Sequence, residues 1–172
     1  GVPTGWDSID RMTMGWRGGN LVIVAARPSI GKSGLALGSA RSCCESFRAD
    51  GSRRRALVFS MEMTKEELEL RLLSQLTGIN SVKLEGGFLA GSDWGKLNDG
   101  LERMANLELY IDDTPSRTVA DIRAEGRQLV ADGGLDLLVI DYVQLMGASG
   151  NGRRGASRNE EITQIARELK VL

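Results

Sequence analysis

The sequence predicts an α/β domain with a mainly parallel β-sheet, and three observations support this fold class. Short apolar runs typical of strands alternate along the 172 residues with amphipathic stretches typical of helices. The first apolar run, at residues 21–25, leads directly into a tight loop and a helical stretch. The last, at residues 135–141, is apolar enough for burial on both faces, as in parallel sheets. The length fits one domain with a buried core.

The individual elements follow from periodicity and from helix-start residues. We predict strands at residues 21–25, 56–60, 107–111 and 135–141. We predict helices at residues 33–47, from Thr64 onward, from Ser92 onward, from Thr118 to residue 131, and from Asn159 onward. Thr64 stands three residues before Glu67, which is the spacing of a capping box. Ser92 and Thr118 are expected N-caps of the same kind.

The loop after the first apolar run carries the strongest motif of the chain. It reads Ala26-Arg27-Pro28-Ser29-Ile30-Gly31-Lys32-Ser33-Gly34. In a strand, loop and helix of this kind, successive backbone N–H groups and the positive end of the helix point at one place, where a phosphate binds. Lys32 can reach the β- and γ-phosphates, and the Ser33 hydroxyl can hold Mg²⁺. We therefore expect a P-loop nucleoside triphosphatase that binds its nucleotide with residues 27–34.

The motif departs from the general pattern at Ala26, where a glycine is usual. Alanine lacks the free access of glycine to positive φ, so the loop is expected to turn there without a left-handed residue. Pro28 fixes one φ angle of the loop instead. A chance Gly-Lys-Ser in a surface turn is the alternative, and the surrounding strand and helix patterns argue against it.

The composition excludes several classes of function. The formal net charge is −1, so any contact with nucleic acid must be local. The chain has no histidine, which excludes histidine-based acid–base catalysis and histidine metal sites. Cys43 and Cys44 lack the spaced partners of a zinc site and are expected to be buried helix residues. No apolar run approaches the roughly 18 residues of a membrane span and no leader is evident, so we expect a cytoplasmic protein.

Acidic residues at the ends of the predicted strands are candidates for the chemistry. Asp141 ends a buried strand and can take an outer position on the Mg²⁺ held by Ser33, although such an Asp can also simply cap a loop. Hydrolysis further needs a group that orients or deprotonates water. Glu62, Asp112 and Asp113 all follow strands at the same edge of the sheet. We prefer Glu62, with a solvent-facing acid in the first turn of a helix as the alternative.

Two further features lie behind Asp141. Gln144 can hydrogen-bond the γ-phosphate or a bound water, and a solvated glutamine is an equally compatible interpretation. The loop at residues 147–158 contains Arg153, Arg154 and Arg158 and no acid. Such a loop can follow a nucleic-acid backbone, while a solvated basic loop is the more common case.

Taken together, the motifs resemble the C-terminal RecA-like ATPase domain of the DnaB-type hexameric replicative DNA helicases. The strings that carry the resemblance are residues 25–33, Phe59-Ser60-Met61-Glu62-Met63, Tyr110-Ile111-Asp112-Asp113 and Ile140-Asp141-Tyr142-Val143-Gln144-Leu145-Met146. The resemblance covers essentially the whole chain, with these strings in order. The family itself uses alanine at the first position of the P-loop.

The resemblance implies roles for individual residues. Lys32 and Ser33 would bind phosphate and Mg²⁺, and Glu62 would be the catalytic glutamate that polarises water. Asp141 would be the Walker B acid and Gln144 the γ-phosphate sensor. The loop with Arg153, Arg154 and Arg158 resembles the family's first DNA-binding loop. The resemblance also implies ATP as the nucleotide and a ring of six that moves 5′ to 3′ on single-stranded DNA at the nucleoid. Primase and a helicase loader would be its partners.

The chain ends in a helical stretch without a C-cap. We therefore expect a fragment of a domain, with one or more further strands elsewhere in the protein. The resemblance implies that residues 1–172 are part of a RecA-like ATPase domain, and that the helical N-terminal domain, the second DNA loop and the arginine finger lie outside them. Two alternatives stay open: a RecA/RadA-type recombinase or other RecA-fold ATPase, and a nucleotide-binding fragment without turnover in isolation.

Overall fold

A computed structural model describes residues 1–27, 29–141 and 158–170, with the side chains of 158–162 and 164 excepted. The helices are α1 (Asp7–Thr13), α2 (Lys32–Glu45), α3 (Lys65–Thr77), α4 (Ser81–Gly86), α5 (Gly91–Ala105), α6 (Val119–Ala131) and α7 (Arg158–Lys170). The strands are β1 (Ala56–Ser60), β2 (Leu109–Asp112) and β3 (Leu137–Asp141). Within these described ranges, no helix is long and apolar enough to cross a lipid bilayer.

The described strands form a parallel sheet in the order β2-β1-β3. Ala56 at the start of β1 pairs with Leu109 on one side and with Leu137 on the other. At the other end, Phe59 pairs with Asp112 and Ser60 with Asp141. The carboxyl ends of the three strands therefore meet at one edge of the sheet.

The core consists of two layers of side chains, one on each face of β1. Ala56 and Val58 pack into a cluster with α2 and α3 that includes Leu37, Cys44, Leu68 and Leu72. Leu57 and Phe59 point to the opposite face and pack with Val119, Ile122 and Ile165 of α6 and α7. Successive side chains of a strand alternate between its faces, so one five-residue strand supplies both layers. The predicted α/β architecture is confirmed.

Of the three predicted N-caps, Thr64 and Thr118 are confirmed and Ser92 is wrong. The Thr64 side chain accepts from the Glu67 N–H and Glu67 accepts from the Thr64 N–H, which completes the capping box of α3. Thr118 and Asp121 do the same for α6. Helix α5, however, begins at Gly91 rather than after Ser92. The Asp93 carboxylate accepts the Ala90 N–H at 3.0 Å, so the helix begins one residue before Ser92 rather than after it.

The prediction of a buried strand at residues 21–25 is wrong. Leu21, Val22, Ile23 and Val24 are exposed, Ile23 by 74%, and the segment has no strand conformation. An apolar run becomes a strand only where a neighbouring strand pairs with it, and none of the described strands does. The expectation that β3 is buried on both faces is also wrong, since residues 137–140 are only partly buried at the edge of the described sheet.

The adjacent cysteines are buried side chains of α2, as predicted. Cys43 and Cys44 are both free and fully buried. The neighbouring Cys44 thiol and burial both raise the pKa of Cys43 far above its usual range. Because the thiolate is the reactive form, Cys43 is an inert packing residue.

An ionic network ties the amino ends of β1 and β3 to the end of α2. The Asp136 carboxylate accepts from the Arg48 guanidinium at 2.7 Å and from the Arg55 backbone N–H at 2.9 Å. Burial opposes ionisation of Asp136, but these hydrogen bonds outweigh it and hold the pKa of Asp136 below its usual value. The charged carboxylate therefore stabilises the folded state.

We expect Asp136→Asn to lower the free energy of unfolding by about 2 kcal/mol at pH 7, because Arg48 loses its charged partner. A carboxylate with a lowered pKa contributes stability above its unfolded pKa of about 3.9 and loses that contribution as the pH falls through its folded pKa. Urea denaturation therefore shows a difference between wild type and Asp136→Asn that shrinks from pH 5 to pH 3. Asp99→Asn, at an exposed position of α5, is the control. Equal stability at pH 7 contradicts the assignment.

Candidate functional site

The candidate site lies at the edge of the sheet where the carboxyl ends of the strands meet. β1 ends at Ser60, β2 at Asp112 and β3 at Asp141. In open parallel sheets, ligands bind outside this edge, because the loops that follow the strands open there. An ion pair between Lys32 and Asp141 places the start of α2 at this edge as well.

The start of α2 has the backbone geometry of an anion site. Gly31 precedes the helix with φ 102°, and no side chain of the described residues caps the helix there. The first N–H groups of a helix lack intrahelical acceptors and carry its positive dipole end. Ser29 has φ 64°, so the left-handed conformations of the loop fall at Ser29 and Gly31. Ala26 avoids positive φ, as the sequence predicts.

Lys32 and Asp141 form the centre of the site. The Lys32 Nζ lies 3.2 Å from Asp141 Oδ1. The Asp141 side chain is 9% exposed and that of Lys32 is 30% exposed. A nearly buried carboxylate needs a countercharge, and the P-loop lysine supplies one. The two motifs, which are far apart in the sequence, are thus in direct contact.

The loop at residues 61–64, here the Glu62 loop, connects β1 to α3 beside Asp141. Its Met61 N–H donates to the backbone carbonyl of Asp141 at 2.8 Å. The buried Ser60 hydroxyl accepts from the Met63 N–H at 3.1 Å and donates to the Met63 carbonyl at 2.7 Å. Glu62 lies between these contacts and is exposed. It is therefore available to a ligand at the edge of the sheet.

The two alternative acids after β2 are engaged in other contacts. The nearly buried Asp112 accepts from the Thr114 N–H at 2.8 Å and from the Arg117 Nε at 2.7 Å. Burial raises the pKa of Asp112, but the hydrogen bonds from Thr114 and Arg117 outweigh this and lower it overall. Asp113 accepts the backbone N–H of Lys65 at 2.8 Å. These contacts favour Glu62 over Asp112 and Asp113 as the group that meets water.

The remaining predicted P-loop residues are placed as follows. Arg27, Ser29 and Ile30 are exposed before the helix, and Ser33 and Gly34 are half-buried in its first turn. Pro28 lies outside the described residues.

The other predicted residues fall after β3. Gln144, Arg153 and Arg154 lie outside the described residues, and Arg158 is the first residue of α7. Their roles stay predictions.

The sequence did not predict one contact to α2, the helix that follows the loop at residues 26–31. The Gln75 Nε2 of α3 donates to the carbonyl of Gly34 at 3.3 Å. The two residues are 41 positions apart, and no local pattern marks Gln75. This contact fixes the first turn of α2 against α3.

Comparisons with known proteins find a family model and relatives that match the whole chain. The family model described as DnaB-like helicase C terminal domain matches residues 1–172. Replicative DNA helicase DnaB of Geobacillus stearothermophilus and Replicative DNA helicase DnaC of Bacillus subtilis (strain 168) are each 42% identical over 172 residues. Both alignments cover 100% of this chain and 36% of the relative, so the chain spans about a third of the length of these relatives.

Two solved structures are similar over nearly the whole chain. One is described as "The Structure Of A DnaB-Like Replicative Helicase And Its Interactions With Primase", with a TM-score of 0.87 and 33% identity. The similarity covers 99% of this chain and 39% of that chain. The other is described as an ATPase domain and has the same TM-score and identity. Here the similarity covers 99% of this chain and 58% of that chain.

Proposed function

The chain belongs to the DnaB-like helicase C-terminal domain family, and we propose that it is the part of a replicative DNA helicase that binds and hydrolyses ATP. Its fold is the RecA-like fold of the ATPase domains it resembles. We assign residues 1–172 to part of that ATPase domain. The observation that carries the proposal is the ion pair between Lys32 and Asp141, since it unites the phosphate-binding loop with the acid at the end of β3.

The start of α2 holds the triphosphate. We assign phosphate binding to the loop at residues 27–34 and to the start of α2, where no described side chain caps the helix and its positive end is directed. Lys32 binds the β- and γ-phosphates and stabilises the charge that develops during transfer. When the nucleotide is bound, Lys32 is shared between the phosphates and Asp141.

Ser33 would hold Mg²⁺ through its hydroxyl, and Asp141 would take an outer position on the same ion. Both side chains offer hard oxygen ligands, which Mg²⁺ prefers, and protein sites usually supply one or two of its ligands beside phosphates and water. The metal supplies charge neutralisation and orientation of the phosphates.

Glu62 orients and activates the attacking water. It is exposed at the sheet edge, and a hydrogen bond from the Met61 N–H joins its loop to the backbone carbonyl of Asp141. A carboxylate held within reach of the water contributes as a general base, and the rest of the catalysis is positioning and charge stabilisation. Gln144 then senses the γ-phosphate.

The whole protein couples hydrolysis to movement on single-stranded DNA. We propose a ring of six copies, with Arg153, Arg154 and Arg158 facing the strand. One structurally similar protein is described with its interactions with primase, and we propose primase and a helicase loader as partners of this protein at the nucleoid. The formal net charge of −1 requires that the DNA contact be local to such loops.

For the protein in its full natural length, we expect Glu62→Gln to bind ATP normally and to hydrolyse it about a hundredfold more slowly, because the amide cannot accept a proton. Lys32→Ala loses both binding and turnover. The measurement is ATP hydrolysis with and without single-stranded DNA. Glu66→Gln, an exposed acid in the first turn of α3, is the matched control and keeps wild-type turnover. Wild-type rates in Glu62→Gln or Lys32→Ala contradict the proposal.

We expect Gly31→Ala to weaken binding of a fluorescent ATP analogue, because φ 102° costs a side chain about 1–2 kcal/mol and the loop must change its peptide orientation. Gly78→Ala is the control, since Gly78 has φ 71° and equally open surroundings at the end of α3. Both variants lower the melting temperature, but only Gly31→Ala lowers nucleotide affinity. Equal affinities for the two variants argue against phosphate binding by this loop.

A further inference from the structure

Hydrogen bonds with the ends of both strands that flank β1 hold the Glu62 loop. On the β3 side, the Met61 N–H donates to the Asp141 carbonyl at 2.8 Å. On the β2 side, the Lys65 N–H directly after the loop donates to Asp113 Oδ2 at 2.8 Å. β2 and β3 flank β1 on opposite sides, so these two bonds fix the loop between its neighbours. The position of Glu62 therefore depends on contacts outside its own segment.

The strand end that precedes Asp113 is held by several contacts. Asp112 is nearly buried and accepts from both the Thr114 N–H and the Arg117 guanidinium. Arg117 also lies 3.9 Å from the Glu125 carboxylate of α6. Asp113 directly follows this strand end, and its hydrogen bond with the Lys65 N–H joins the end of β2 to the start of α3.

The Asp113 carboxylate accepts a hydrogen bond from an N–H of α3 that has no acceptor within the helix. The N–H of Lys65 is the first of the helix and has no intrahelical acceptor. The capping box engages the N–H groups of Thr64 and Glu67, and Asp113 adds the bond to Lys65. The capping box is local, whereas the bond from Asp113 spans 48 positions and joins the helix to the sheet. A negative charge at a helix start is also favourable.

We infer that Asp113 is a positioning residue for the hydrolysis of ATP: its carboxylate fixes the start of α3 and thereby the place of Glu62 relative to the nucleotide. The inference rests on the proposed function of Glu62. Asp113 takes no proton and binds no nucleotide in this role. Its substitution therefore acts on turnover rather than on nucleotide binding.

The test compares Asp113→Ala with Asp113→Asn in the protein at its full natural length. Asp113→Ala removes the acceptor, and we expect kcat for ATP to fall by about tenfold to a hundredfold, because small misplacements of a reacting group have effects of this size. KM for ATP changes by less than about twofold. The amide oxygen of Asp113→Asn can still accept the Lys65 N–H, so kcat stays within about threefold of wild type.

Asp93→Ala is the control, because Asp93 also accepts a backbone N–H at a helix start, that of Ala90 before α5, but through a local contact. Asp93→Ala removes one carboxylate at a helix start, and we expect this variant to keep the wild-type kcat. Asp113 is exposed, so its variants keep the fold, and circular dichroism checks this.

Three results overturn the inference: a wild-type kcat in Asp113→Ala, an equal loss of kcat in Asp113→Ala and Asp113→Asn, or a raised KM with unchanged kcat. If the wild-type protein itself hydrolyses no ATP, the proposed function fails first, and that outcome is distinct from these three.

Discussion

The pairing of β1 with a parallel strand on each side is the constraint on which the site depends. Ser60 lies opposite Asp141, and Phe59 lies opposite Asp112, so the three strands end nearly level. The burial of all five residues of β1 between two helical layers makes this register costly to change, since a shift by one residue would exchange its two faces. The loops that carry Glu62 and Asp113 consequently open at one edge, beside Asp141.

The electrostatics of the site follow from that arrangement. Asp141 is nearly buried at the end of β3, and Lys32 from the start of α2 lies within 3.2 Å of it. The ion pair gives the carboxylate a countercharge and keeps the Lys32 side chain beside the end of β3. In the proposed function, an incoming triphosphate and its metal meet a lysine and an acid that are already beside each other. Preorganised charge of this kind acts in the reaction without further rearrangement.

Local patterns predicted the elements that local contacts stabilise. The capping boxes of Thr64 and Thr118 involve partners three residues away, and the apolar runs that became β1 and β3 are continuous in the sequence. Local sequence patterns also identified the loop at residues 26–34 and Asp141 as candidate site residues. The prediction of a strand at residues 21–25 was wrong because strand formation requires a neighbouring strand, which the apolar run does not itself specify. Helix α1 is seven residues long, too short for a periodic signal, and it ends at Met14 with φ 60°. The contacts of Asp113 with Lys65 and of Gln75 with Gly34 join distant positions, so no spacing rule finds them.

The most direct test of the account is a crystal structure of the protein at its full natural length with Mg²⁺ and an ATP transition-state analogue. The account predicts the Lys32 Nζ on the β- and γ-phosphates, Ser33 and Asp141 on the metal side of the nucleotide, and the Glu62 carboxylate at the water opposite the γ-phosphate. A nucleotide bound away from the start of α2, or one bound there with Glu62 directed away from the γ-phosphate, would contradict it.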